Sequence, residues 1–427
     1  MPLNIIVVGA GIAGLSAAIG LARHGHKVTV YERRSSMTRE DSGSGMQLQA
    51  NVGTILQDWG LMQEIRKVAH DPEVVDLRTN SEGSIATQDY AQKGEAPFGL
   101  RRVLKDVFRD HAIKQGVKIH EGAGIERVDV DEPAIILPND RRIAADLIIG
   151  ADGTNSRVRR TLFPDFKPKV LNAAVFQVLL PLDKVKQDPE LRAMLDGNHV
   201  FVTVSPGRSV VGCPAAHQDL MDMQYIDHEY SLRGDPHPNH HTMRIYDLSW
   251  LRERYSDHGL AIRKFLEQAD ETFKWRLTEV KGVPSWSSSN GKVVLLGDAV
   301  HGMVPYTGQG SAMGIEDAAI LSHLLRSATA STALPPIMAR YEQIRRKRCE
   351  IVQYLANLLG RSWSAKEAKK IQQRNEMWRH INDTADLTAK PDANAPWGSA
   401  PFLRWLDTYD VVAACGEGEG EGEKARL

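Results

Sequence analysis

Twenty residues near the start of the chain, Leu3 to Ala22, are apolar except for Asn4 and Ser16, and glycines split them into two unlike halves. By length alone the stretch could span a membrane or serve as a signal peptide. Against that reading, it has no basic n-region and no A-x-A-like cleavage site. Asn4-Ile-Ile-Val-Val8 is a β-branched run, and the residues after the glycines are rich in Ala and Leu. The pattern predicts a strand, a turn and a helix ending near His24-Gly25, then a second strand, Lys27 to Tyr31, closed by Glu32. Gly9, Gly11 and Gly14 form G-x-G-x-x-G at the turn. Gly9 would make the tight turn, Gly11 would let backbone approach a pyrophosphate, and Gly14 would allow close helix–strand packing. The helix N-terminus would offer N–H groups and a positive dipole, and Glu32 would meet ribose hydroxyls. Dinucleotide binding is the expectation, with a ligand-free packing turn as the alternative.

Only one such unit is complete. Gly43-Ser44-Gly45 and Gly122-Ala123-Gly124 lack the third glycine and the helix, so one resident dinucleotide is implied. The 53 Lys+Arg balance 54 Asp+Glu, which argues against nucleic acid or an anionic membrane as partner. A chain of 427 residues has room for two or three domains and a buried cofactor. Cys213, Cys349 and Cys415 are too scattered for a disulfide framework or a zinc cluster and fit a reducing, cytoplasmic compartment.

Two further segments repeat the strand-to-glycine theme. Ala145-Asp-Leu-Ile-Ile-Gly-Ala-Asp-Gly153 runs on to Ser156, Arg157 and Arg159. Gly291-Lys-Val-Val-Leu-Leu-Gly-Asp-Ala-Val-His-Gly302 leads through Pro305 and Gly308-Gln-Gly310 to a helix expected from about Ser311. With G-x-G-x-x-G, these segments resemble the fingerprints of the FAD-dependent aromatic hydroxylases, the single-component flavoprotein monooxygenases related to salicylate and p-hydroxybenzoate hydroxylases. The resemblance runs from Ile5 to about Trp363 and includes Gly45-Met-Gln47, Arg101-Arg-Val-Leu104, Trp275-Arg-Leu277, Trp286 and the Tyr341–Arg348 helix.

The resemblance implies that Glu32 binds the adenosine ribose, Arg101 the pyrophosphate or ribityl region and Asp298 the ribityl chain. Gly45, Gly310 and Ser311 would give backbone contacts, and Pro305 would sit at the flavin face. Asp152, Arg157 and Arg159 belong to a motif that supports FAD and has been associated with the nicotinamide donor; a hydrogen-bonded strand end is the alternative. It also implies that NADPH or NADH reduces FAD, that O2 forms a C4a-hydroperoxide, and that oxygen passes to an electron-rich arene or alkene. The chain departs from the family at Val300 and Gly302 in the GDAxH segment. In the substrate half, Gln177 stands where relatives often carry arginine, and Cys213-Pro214 replaces a frequent Tyr-Pro. Arginine and tyrosine there would favour an anionic substrate. Their absence suggests a larger, neutral one, and Gln177 is the expected substrate contact.

The fold class expected is α/β: a Rossmann-type FAD-binding domain interleaved with an antiparallel-sheet substrate domain, plus C-terminal helices. The boundaries expected are 1–164 and 286–333 for the cofactor domain, 165–285 for the sheet, 334–415 for the helices and 416–427 for a disordered tail. His237, His240 and His241 read as a solvated loop, with no metal site, and Met221-Asp-Met-Gln-Tyr225 as pocket lining or strand packing. Cys213 reads as a small buried hydrophobe, and Arg345-Arg-Lys-Arg348 as a solvated helix face. Trp363, Trp378 and Trp397 would pack or make dimer contacts in a monomer or homodimer. Ala425-Arg-Leu427 resembles a relaxed peroxisomal address, an alternative to the cytoplasm. The expected partners are a small organic substrate and O2. Epoxidation, decarboxylative or ring-modifying oxygenation, and a non-catalytic escort protein on the same fold are the competing functions.

Overall fold

The structure, a computed structural model, describes residues 1–35, 44–81, 83–89, 96–195, 199–230, 242–380 and 388–416. Gly43, the three histidines at 237, 240 and 241, and the Ala425-Arg-Leu427 terminus lie outside these residues.

Asn4–Val8 forms a strand that turns at Gly9 (φ +105°) into helix α1, Ile12–Arg23, and Lys27–Tyr31 returns parallel to the first strand. The Leu3–Ala22 stretch is therefore a strand and most of a helix, and no described helix is long and apolar enough to cross a membrane. A Cβ at Gly14 would lie 2.0 Å from the Gly9 carbonyl oxygen, so the helix sits directly on the turn. Five parallel strands make up this sheet, in the order Val293–Leu295, Leu147–Gly150, Asn4–Val8, Lys27–Tyr31 and Lys118–His120. Val293–Leu295, Leu147–Gly150 and Asn4–Val8 are short, nearly continuous runs of Val, Ile and Leu, as strands covered on both faces require, whereas the edge strand Lys118–His120 is exposed at both ends.

The second large sheet has eight strands, in the order Thr242–Ile245, Thr272–Glu279, Lys169–Pro181, Leu220–Asp227, Arg208–Ala215, His199–Ser205, Val74–Thr79 and Gly83–Asp89. All pairs are antiparallel except Val74–Thr79 with His199–Ser205. The Val74–Asp89 hairpin falls inside the segment expected to belong wholly to the cofactor domain, yet it extends the larger sheet. Along Leu220–Asp227 the period of two sorts the residues: Met221, Met223 and Tyr225 are fully buried in the core beneath the sheet, while Asp222 and Gln224 face the other way.

Helix α2, Arg101–Lys114, packs beside α1. Helices α3, Gly310–Leu325, and α4, Leu334–Trp363, follow the last parallel strand, and α5, Ala368–Arg379, and α6, Ala400–Asp407, complete the C-terminal part. α3 lies against α1 so closely that a Cβ at Gly314 would come within 2.7 Å of Ala13. The arginine run on α4 is not a solvated face. Arg345 and Arg348 are buried and only Lys347 is exposed, because Glu316 and Asp317, wholly buried in α3, draw them inward.

Candidate functional site

One cavity of about 1520 Å³ lies between the ends of the parallel strands and the larger sheet. Single-ligand pockets hold roughly 300–1,000 Å³, so this one has room for a dinucleotide with a second molecule beside it. Gly11, Arg101, Asp298, Pro305, Gly310 and Ser311 form part of its wall; Val75, Val202, Val211, Ile226, Leu359 and Trp363 form another part, largely apolar.

The polar part is built from helix ends and unspent charge. α1 starts after Gly11 and α3 after Gln309; neither has a side-chain cap or an acid in its first turn, so both offer orphan N–H groups and a positive dipole end to the cavity. The Asp298 carboxylate opens on the cavity although it lies deep in the molecule. Burial raises its pKa above the ordinary value, with Arg101 and His301 pulling it down. Among the described residues no donor is bound to that carboxylate, and Arg101 makes no side-chain hydrogen bond. Thr307 Oγ1 and Gln309 Oε1, both at the cavity, are buried without partners.

Gly11 supplies the sharper test. Its backbone is extended (φ −76°, ψ 175°), which any residue adopts, and a Cβ there would meet nothing within 4 Å. The protein itself gives no reason for glycine at this position. What needs the space is whatever approaches the backbone between the two helix N-termini, and an anionic pyrophosphate fits that cradle.

A family model described as an FAD binding domain matches residues 3–354. The chain belongs to the FAD-dependent aromatic hydroxylase family. It is 27% identical over 423 residues to the FAD-dependent monooxygenase OpS4 of Beauveria bassiana, with 96% of each chain covered. Its fold matches that of CtdE in complex with FAD and a substrate (TM-score 0.80, 19% identity, 97% of each chain covered). It also matches a salicylate hydroxylase substrate complex (TM-score 0.76, 19% identity, 97% of this chain and 98% of that one). The protein is an FAD-dependent monooxygenase of the hydroxylase type, and FAD is its cofactor.

Seen in this hydroxylase, the remaining expected site residues divide. Glu32 Oε2 accepts from the Ala10 N–H and Oε1 from the Arg34 N–H, both at 2.8 Å, which ties the glycine turn to the end of the second strand. A carboxylate has lone pairs left after two such bonds. The Gly45 N–H donates to Asp222 Oδ2 at 2.9 Å at the cavity edge. Asp152 turns from the cavity and accepts from the Ser156 hydroxyl (2.5 Å) and the Arg157 N–H (2.6 Å), fastening the short helix Arg157–Leu162. Arg159 donates to the carbonyls of Ala299 (2.7 Å) and Thr154 (2.6 Å). Asp152 and Arg159 thus make hydrogen bonds within the protein at this strand end.

Gln177 requires a correction: it does not line the cavity. It projects to the same face of the sheet as Asp222 and Gln224 but is buried, its Nε2 held back by donating to Asp222 Oδ1 at 2.6 Å. Gln224, its cross-strand partner, is the glutamine that reaches the cavity. Sequence reasoning also missed His228 and Tyr306, which line the same cavity, and the charge network behind it. Tyr306 lay inside the quoted glycine-rich loop, whereas nothing around His228 marked it. Cys213 is buried as expected, and burial pushes its thiol well above the ordinary value.

Proposed function

We propose that this enzyme uses NAD(P)H and O2 to hydroxylate an uncharged, electron-rich aromatic compound of the kind found in secondary metabolism. Bound in the cavity, FAD would supply the chemistry, taking two electrons from the nicotinamide and activating dioxygen for transfer of one oxygen atom. The residues then have separate tasks. The N–H groups after Gly11 and at Gly310 and Ser311 would hold anionic and carbonyl groups of the cofactor, Asp298 would accept from its ribityl hydroxyls, and Arg101 would neutralise phosphate charge. Glu32 would take the adenosine ribose. Pro305 and the turn to Gly310 would close over the ring, excluding water that would otherwise divert the activated oxygen.

The observation that carries the reading is the continuity of one cavity from the two helix N-termini to an apolar wall of Val75, Val202, Val211, Leu359 and Trp363. Leu359, Trp363 and Trp378, which line the cavity, lie beyond residue 354, where the family match ends. The central strand, Lys169–Pro181, has no arginine to meet a substrate carboxylate, and two lysines of the cavity lining, Lys366 and Lys370, are paired with Glu229 and Glu367, which favours a neutral ligand.

Stopped-flow NADPH oxidation against phenols, indoles and prenylated arenes, with product analysis, tests the proposal. Acceleration of NADPH oxidation with an oxygenated product supports it, and an epoxide in place of a phenol would move the reaction type. Protein that holds FAD but oxygenates none of the panel would sink the hydroxylase assignment for this substrate class.

A further inference from the structure

The C-terminal residues 388–416 meet the rest of the molecule at two places. Phe402, Leu403, Leu406 and Asp407, on α6, line the cavity. Away from the cavity, the end of α6 and the residues after it enclose the guanidinium of Arg348. That group lies 4.6 Å from the ring centroid of Trp405 and 4.3 Å from that of Tyr409. Its Nη1 donates to the Trp405 carbonyl and its Nη2 to the Leu406 carbonyl, both at 3.0 Å. These carbonyls belong to the last turn of α6, where a helix has no N–H of its own to offer them, and a cation there also meets the negative end of the helix dipole. Val411, fully buried, pins the short helix Val411–Ala414 that follows.

The other edge of the same guanidinium points into the molecule. Nε and Nη2 donate to the two oxygens of Glu316 at 2.8 Å each, so one side chain makes two hydrogen bonds toward α6 and two toward α3. Glu316 is wholly buried; burial alone would raise its pKa, but Arg348 and Arg345 hold it below the ordinary value. Its Oε1 also accepts from Asn51 Nδ2 at 2.5 Å. Asn51 sits in the turn Ala50–Val52, two residues after Gln49, and a Cβ at Gly308 would come within 2.6 Å of Gln49 Nε2. Gln49 and Gly308 both line the cavity. A continuous line of contacts therefore runs from Tyr409 and Trp405 through Arg348, Glu316 and Asn51 to the loop against which FAD would lie.

We infer that Trp405 and Tyr409 are positioning residues for the cofactor: seated around Arg348, they hold Glu316, Asn51 and the turn at Gly308 in the arrangement that binds FAD, and residues 388–416 act as a strap on the cofactor site. The inference concerns retention of FAD and is independent of which substrate is oxygenated. Neither aromatic ring lines the cavity, so each reaches the cofactor only through the arginine. Linkage makes the effect reciprocal: if a seated strap raises the affinity for FAD about tenfold, bound FAD shifts the strap toward its seat by the same factor.

Two measurements test this on the full chain. FAD titration of the apoprotein, followed by flavin fluorescence, is expected to show a dissociation constant raised about tenfold in Tyr409→Leu and in Trp405→Leu. Tyr409→Phe, which keeps a ring over the guanidinium, should stay within about threefold of the wild type. Hydrogen exchange of the wild type reads the reverse direction. The amides of Ala413, Ala414 and Cys415 donate to Asp410 Oδ1 and to the carbonyls of Asp410 and Val411, and they lie outside the cavity lining. With FAD bound they should exchange about tenfold more slowly than without it. Leu260–Glu267, a helix in the core beneath the larger sheet, is the control for global stabilisation. Exchange slowed no more at the three amides than in that helix overturns the strap. So does a folded Tyr409→Leu variant with wild-type FAD affinity, whatever its melting temperature, since that is the mark of packing alone. The exchange experiment needs no variant, so it decides the matter even where a substitution prevents folding.

Discussion

Gly11 and Gly14 are three residues apart and should respond in opposite ways to the same substitution. A Cβ at Gly14 would strike the Gly9 carbonyl at 2.0 Å, whereas at Gly11 it would enter open space. Gly14→Ala is expected to lower the melting temperature of the apoprotein sharply or prevent folding. Gly11→Ala should leave the apoprotein Tm within about 2 °C, since substitutions that disturb no packing cost little. It should weaken FAD binding at least about tenfold, because the methyl occupies the approach to the pyrophosphate. Thermal melts of apoprotein and FAD titration separate the two effects; a Gly11→Ala protein with unchanged FAD affinity would contradict the cradle. At this scale the glycine motif was legible because each glycine answers a local steric demand. Gln177 shows the limit of that legibility: alternation places it on the same face as Gln224, but the hydrogen bond that keeps it from the cavity comes from Asp222, 45 residues away on the neighbouring strand.

α3 and α4 are joined by buried charge. Arg345 donates to Asp317 Oδ1 (2.8 Å) and Glu316 Oε2 (2.5 Å), Arg348 to both oxygens of Glu316 (2.8 Å each) and Asn51 to Glu316 Oε1 (2.5 Å). His301 and the Gly297 N–H complete the ring on Asp317 Oδ2, at 2.5 and 2.9 Å. Burial alone would push Asp317 up, but His301 and Arg345 hold it at about 2. The same ring fixes the loop that carries Asp298, so it supports the cavity from behind. Removing one member leaves an uncompensated buried charge, and Arg345→Met is expected to cost about 3–5 kcal/mol in denaturant unfolding of the apoprotein. A loss below about 1 kcal/mol would show that the charges are solvated after all. The network was illegible beforehand because a run of three arginines and a lysine on a helix has the same composition whether it meets water or two buried acids. The elements themselves were legible: the first strand, α1, α3 and the alternating strands all arise from periodicity and glycine placement. The crossing of Val74–Asp89 into the larger sheet has no local signal.

Across the whole molecule, pH acts through buried histidines. Burial brings His258 to about 4, with Arg208 adding to the effect and Asp257 opposing it. As pH falls from 6.5 the unfolded chain takes up this proton first, so folding loses stability down to about pH 4. Asp152, Asp222 and Asp298, raised by burial, act in the opposite sense, so the contribution is best read as a difference. The stability gap between wild type and His258→Gln should narrow by roughly 3 kcal/mol between pH 6.5 and 4, the weight of a 2.5-unit shift. A gap independent of pH would mean that His258 titrates normally. His301 behaves in reverse: burial lowers it, but Asp317 lifts it well above its ordinary value. Its contribution is complete below pH 6.5 and is lost as pH rises through the folded pKa. The order of the parallel strands also has a consequence during synthesis. Leu147–Gly150 is flanked by Val293–Leu295, so roughly 145 further residues must leave the ribosome before this edge is covered. At about 5–20 residues per second that is on the order of 7–30 s, during which an apolar strand edge stands open. A nascent chain stalled near residue 280 should therefore bind holdase chaperones and resist release, whereas one stalled far enough beyond 325 to expose α3 should let go.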